Sequence, residues 1–331
     1  MMRWFLSAVL ALGLLWCLYW FVGSRAVQSG VTDWFASQSD GPLGVSNTGV
    51  SVAGFPNRFD LTVTEPAVTD AASGVSWHAP FVQVFAMTWK PWHLIAVVAN
   101  DQAMTVQGQQ IALHSDQLRA SLLAHPTTDL RLDDFRIEGH GLAAVSSAGW
   151  KFGAQSLAFS VAEDPTQPDA QRIGLTVSAL TPDPELTALM PDLGGVIDTV
   201  YLDATVLLTA PIDRNMALNP PQVVSIALAD FHANWGSLKL AATGKVQAAA
   251  DGLAEGKIDF KIDDWRQIPK ILEAAGVVNH DMAGNIANGL KAMALSGPDP
   301  NSISLPLIFK SGRMLLGPLP LGLAPRLRQR Q

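Results

Sequence analysis

A chain of 331 residues and 35.3 kDa is long enough for one large domain or two ordinary ones. Hydrophobic residues make up 48% and charged residues only 15%, against about 25% in typical soluble proteins, which excludes a disordered, highly charged chain. The net charge of −7 argues against nucleic-acid binding, and a single cysteine excludes an intramolecular disulfide or a cluster of thiolates.

The first element is an uncharged run of 19 residues from Trp4 to Val22. As a helix it measures roughly 28 Å, close to the hydrocarbon thickness of a bilayer. Trp4 stands at one end and Tyr19 and Trp20 at the other, where amphipathic rings favour the membrane interface. The reading is an uncleaved membrane anchor over residues 1–25. The rival is a cleaved signal peptide, for which Val22 and Ser24 are small enough, although the apolar run exceeds the usual h-region. Trp16 before Cys17 argues against a lipoprotein signal. Arg3 precedes the span and Arg25 follows it, so charge orients the helix only weakly. The acidic remainder fits export, with a cytoplasmic N-terminus at the bacterial inner membrane and a periplasmic body.

Val27, Val31, Trp34 and Phe35 predict a short amphipathic helix over 26–39, ended by Ser39-Asp40-Gly41-Pro42. The period then changes to two. Phe59, Leu61 and Val63 alternate with polar residues, and similar runs recur at 81–87, 94–99, 104–106, 111–113, 130–137, 173–177, 200–209, 223–228, 238–246, 256–262 and 303–309. The expected class is mainly β, a β-rich α+β fold. It has one N-terminal transmembrane helix, a large antiparallel curved sheet or two β layers over 40–331, and a helical hairpin packed on the sheet near the C-terminus. The hairpin is read from Trp265, Ile268, Leu272 and Ala275 behind an Asp264 cap, and from Met282, Ile286, Leu290 and Met293. The polar, proline-rich stretch at 163–169 is either a sub-boundary or a long hairpin loop.

Motifs for chemistry are scarce. None of the seven histidines pairs with another at metal-binding spacing. There is no GxSxG or SxxK, and no phosphate loop. Gly139-His140-Gly141-Leu142-Ala143-Ala144 satisfies a loose dinucleotide pattern, but a turn at Ser146–Trp150 replaces the helix that would meet a pyrophosphate. No catalytic residue, metal or cofactor is therefore expected. Arg326, Arg328 and Arg330 read as a solubilising tail or as contacts to anionic headgroups.

The aromatic residues are more informative. Trp77, Trp89 and Trp92, interleaved with Phe81 and Phe85, make a ribbon apolar on both faces. It is either an ordinary central strand or the lining of an apolar, lipid-filled groove.

The order of motifs resembles the bacterial domain-of-unknown-function family 2125 (DUF2125). It runs from Gly54-Phe55-Pro56-Asn57-Arg58-Phe59-Asp60-Leu61 and Gly74-Val75-Ser76-Trp77-His78-Ala79-Pro80 through Ile173-Gly174-Leu175 and Leu202-Asp203-Ala204-Thr205-Val206. Trp235-Gly236-Ser237-Leu238-Lys239-Leu240, Asp264-Trp265-Arg266 and Gly312-Arg313-Met314-Leu315-Leu316-Gly317-Pro318 complete it. The resemblance covers residues 40–325 and implies a single-span envelope protein, with no catalytic residues to carry over. A looser likeness is to AsmA-like envelope proteins, associated with lipid movement along a curved sheet. The leading expectation is a non-enzymatic periplasmic module holding phospholipid or another apolar ligand against Trp77, Phe81, Phe85, Trp89 and Trp92. The alternatives are a structural module that docks another envelope protein, and an enzyme with a non-local site such as His78 or His93 beside Asp101.

Overall fold

The computed structural model describes residues 2–38, 41, 43–317 and 319–328. Ser39, Asp40 and Pro42 of the expected helix stop, and Arg330 of the arginine tail, lie outside the described residues. The fold class is as expected: a β-rich chain of antiparallel strands, a long apolar N-terminal helix and helices toward the C-terminus. The chain divides into two compact units. The first comprises the chain to Pro126 and Ala144–Gly149, the second Thr127–Ala143 and the chain from Trp150 onward.

The first unit opens with α1 (Met2–Gln38), which is unbroken where the sequence suggested an anchor followed by a separate helix at 26–39. It is long and apolar enough to cross a membrane. Ten strands follow: β1 (Leu43–Ser46), β2 (Gly49–Ala53), β3 (Arg58–Thr64), β4 (Ala67–Asp70), β5 (Val75–His78), β6 (Phe81–Met87), β7 (Lys90–Val98), β8 (Asp101–Val106), β9 (Gln109–His114) and β10 (Gln117–Ala124). They make two five-stranded antiparallel ladders, β2–β3–β6–β7–β10 and β1–β4–β5–β8–β9. Each strand of one ladder runs on into a strand of the other, so five long strands are all interrupted along one line. Pro66 and Pro80 remove ladder donors there, and Glu65 takes a positive φ of 48°. The backbone pairs across the break through Glu65 N–H to Pro80 O (2.9 Å) and Ala79 N–H to Pro66 O (3.2 Å). Ala79, Ala99 and Ser115 are buried along it, small enough to let the chains pass closely.

The second unit is a sequential antiparallel meander. It takes the first part of β11 (Leu132–Ser146), then β12 (Lys151–Glu163), β13 (Ala170–Thr181), a short α2 (Pro184–Ala188), β14 (Ile197–Leu208), β15 (Val223–Trp235), β16 (Leu238–Ala248) and β17 (Ala254–Asp263). After α3 (Gln267–Ala274) and α4 (His280–Leu295) come β18 (Ser302–Lys310), β19 (Arg313–Leu316) and β20 (Leu319–Leu323). The stretch at 163–169 is the tight connection of the β12–β13 hairpin, where Thr166 N–H and Oγ1 both donate to Asp164 Oδ1. The Gly139–Ala144 motif lies inside β11, so no helix opens on its glycines.

Helices α3 and α4 form over the two apolar stripes read from sequence, but the first starts later than expected. Asp264 has φ +53° and accepts from Ser237 Oγ and Gln267 Nε2, so it closes the strand rather than capping α3. Asn279 caps α4 by accepting from Met282 N–H (2.9 Å). Trp235, Leu238, Ile262, Trp265, Ile303 and Leu305 form a core beneath the pair, with Ile268, Ile271, Leu290 and Met293 packed against it. Trp235 is 6% exposed and donates its indole N–H to Gly194 O at 2.9 Å. Truncation of a buried aromatic typically costs about 3–5 kcal/mol. Trp235→Ala should therefore accelerate amide hydrogen exchange across β15–β18, whereas Lys239→Ala, on an exposed position of the same ladder, should leave it unchanged.

Candidate functional site

The aromatic ribbon of the first unit is distributed over two ladders and a turn. Trp77 lies on β5, its indole N–H donating to Gln102 Oε1 at 2.9 Å. Phe81 and Phe85 share one face of β6. Trp92 falls on the opposite face of the β6–β7 pair, because Phe85 pairs with Ile95 and Ala86 with Leu94. Trp89 sits in the β6–β7 turn. Phe85 lines a cavity of 320 Å³ with Arg58, Ala86, Met87, His93 and Ile95. The Arg58 guanidinium lies 5.8 Å from the Phe85 ring centroid while pairing with Asp60 at 2.7 Å.

The suggested meeting of His93 with Asp101 is corrected by the fold. His93 Nε2 lies 3.1 Å from Ser121 Oγ, and Asp101 pairs instead with His114 Nδ1 at 2.7 Å. The hydrogen bond that His114 donates to Asp101 raises the His114 pKa above its ordinary value. No group of three or more His, Cys, Asp or Glu able to hold a metal occurs among the described residues.

The second unit carries the stronger feature, an extended amphipathic sheet. Strand register places Leu157, Phe159 and Val161 of β12 opposite Val177, Leu175 and Ile173 of β13. These align in turn with Val200, Leu202 and Ala204 of β14. The same face continues through Phe231 and Ala233 of β15, Leu240 and Ala242 of β16, Phe260 and Ile262 of β17, and Ile303 and Leu305 of β18. A bulge between Leu228 and Phe231 adds one residue, so Ile226 and Leu228 stay on the apolar face with Phe231. At one end this face is covered by α3 and α4. At the other, Val246, Ala254, Phe309 and Ala324 form a second small core. Leu157, Phe159 and Val161 of β12, Ile173, Leu175 and Val177 of β13, and Val200 and Leu202 of β14 belong to neither core and are half-buried.

The reverse face is polar and holds a cavity of 410 Å³ over β11–β14. Its floor consists of Ala158, Ser160, Ala162 and Gly174. A Cβ at Gly174 would lie 2.8 Å from Ser160 Oγ, so the floor is already filled to contact. Its walls are ion-paired: Arg136 with Asp134 at 2.8 Å, and Arg172 with Asp203 through two hydrogen bonds of 3.1 and 2.7 Å. Tyr201 stacks on His232 at 4.9 Å, and His232 Nδ1 lies 3.2 Å from Asp230. The two wall arginines are thus matched by carboxylates and not presented to an anion. Sequence reading missed this hollow because its residues come from four strands. The local signal was the alternation of Arg172, Gly174 and Thr176 with Ile173 and Leu175.

The hydrogen bond from Arg172 holds the Asp203 carboxyl below its ordinary value. The pair therefore adds stability that is present above the ordinary carboxylate pKa of about 3.9 and is lost as pH falls through the lowered folded value. Melting temperature measured against pH should show a shallower acid limb in Asp203→Asn than in the native chain. The His114–Asp101 pair has the opposite sense: its contribution is present below about pH 6.5 and is lost as pH rises through the raised folded value.

No curated protein and no solved structure matches the chain. A family model described as "Uncharacterized protein conserved in bacteria (DUF2125)" matches residues 20–325. By this match, over nearly its whole length, the chain belongs to the DUF2125 family.

Proposed function

We propose that the protein is a membrane-anchored, non-enzymatic envelope protein that seats lipid acyl chains on the apolar sheet face of its second unit, on the periplasmic side of the inner membrane. The observation that carries this reading is the half-buried centre of that face, where Leu157, Phe159, Leu175, Val177, Val200 and Leu202 lie side by side. Covering such a surface with hydrocarbon is worth about 25 cal/mol per Å². A continuous apolar strip with few polar anchors suits a long chain better than a compact polar substrate.

Two further observations support the reading. α1 runs unbroken from Met2 to Gln38 and is tied to the first unit through Trp16, Tyr19 and Trp20, contacts that an uncleaved anchor keeps. The polar hollow on the reverse face has its two wall arginines neutralised by carboxylates, which leaves the apolar face as the better seat for a hydrocarbon ligand. AsmA-like proteins offer a fold-level analogy in the same direction.

Native mass spectrometry of the full chain, released from mild detergent, tests the proposal. Co-purifying phospholipid is expected with the native protein and with Thr176→Asn on the polar face, and is expected to be lost in the Leu175→Asn, Leu202→Asn double variant. Retention of lipid by that variant and its loss in Phe85→Ser would move the site to the first-unit cavity. A lipid-free mass from folded native protein would favour a docking surface for another envelope protein.

A further inference from the structure

Resting on the reading of α1 as a membrane anchor, we propose that two turns of the first unit, Gly54–Arg58 and Met87–Trp89, form a lipid-seating foot that dips into the bilayer interface beside the helix. The geometry begins with α1. Trp16 donates its indole N–H to Pro56 O (3.1 Å), Tyr19 its hydroxyl to Thr88 O (2.8 Å), and Trp20 its indole N–H to Arg58 O (2.7 Å). Trp20 is only 7% exposed, and its ring packs against Phe55 and Phe59 with centroids at 5.4 and 6.2 Å. Further along the helix, Gly23 lies against Phe59 and Gln28 donates to Val50 O. The turns are therefore fixed to the helix at residues 16–20.

Length then decides their depth. The uncharged run Trp4–Val22, bounded by Arg3 and Arg25, measures about 28 Å as a helix, close to the roughly 30 Å of hydrocarbon a span must fill. The docked residues fall inside this run, so the turns bonded to Trp16, Tyr19 and Trp20 lie at the level where it leaves the hydrocarbon. Their side chains suit that place: Phe55 is 49% exposed, Met87 43% and Trp89 56%. Residues 87–93 include Lys90 and no carboxylate, which suits anionic headgroups, while Arg58 of the other turn is held by Asp60. A tryptophan flanked by lysine at a turn tip is the chemistry of the interfacial belt.

The test uses the full chain with Cys17→Ala, reconstituted in phosphatidylethanolamine–phosphatidylglycerol vesicles. Single cysteines at Leu10→Cys, Met87→Cys, Trp89→Cys and Ala71→Cys carry an environment-sensitive fluorophore, and lipids brominated high on the acyl chain act as quencher. Ala71 lies in the exposed β4–β5 turn of the same unit. The proposal expects most emission to be lost at 10, 87 and 89 and retained at 71. Quenching at 10 with none at either 87 or 89 overturns the foot while leaving the anchor intact. Quenching at 71 as strong as at 89 overturns it in favour of a unit lying wholly on the membrane. No quenching at 10 defeats the anchor reading, and the foot falls with it.

Discussion

The second unit depends on one constraint: a single face of consecutive antiparallel strands must be kept from water. The pleat sends alternate residues to opposite sides, so Leu157-Phe159-Val161, Ile173-Leu175-Val177 and Val200-Leu202-Ala204 accumulate on one surface. The chain supplies cover at both ends of this surface. Trp265, Ile268 and the α4 residues Leu290 and Met293 close one, and Ala324 with Leu327 closes the other. The bulge in β15 shows how closely alternation is held. Without the extra residue, Ile226 and Leu228 would turn to the polar face beside Asp230. What remains between the covers is a strip of partly buried hydrocarbon, which is the physical basis of the functional reading.

The first unit solves a different problem. Its five long strands are interrupted along one line, two of them at Pro66 with a left-handed Glu65 and at Pro80, and the packing there is made by residues as small as Ala79 and Ala99. One face of the β2–β3–β6–β7–β10 ladder receives α1 through Phe59, and the contact is specified by donors as well as by area. Three aromatic side chains of the helix each satisfy a backbone carbonyl of a turn. Tryptophan and tyrosine do this well, combining a large apolar body with one polar atom.

Much of this was legible in the residues. The strand at 58–64 and the stripe ending at Met293 were marked by clean periodicity, and turn chemistry bounded them. β12 was not, because Ala154, Ser156, Ala158 and Ser160 give weak contrast to Leu157 and Phe159. β10 was overlooked in the same way, its Leu118, Leu122 and Leu123 straddling both periods. The continuity of α1 past residue 25 was hidden by the change from a wholly apolar helix to a one-sided stripe. The spread of Trp77, Phe81, Phe85, Trp89 and Trp92 over two ladders and a turn follows from the break at Ala79–Pro80, a tertiary feature. The polar hollow depends on register between four strands, which no single segment encodes.

The central claim is that hydrocarbon, not protein, covers the middle of the apolar sheet face. Photocrosslinking in intact cells tests it most directly, with a benzophenone amino acid at Leu175 and, for comparison, at Thr176 on the reverse face. The account predicts an adduct of phospholipid mass at position 175 and none at 176. A protein adduct at 175, or equal lipid labelling at both positions, would contradict it.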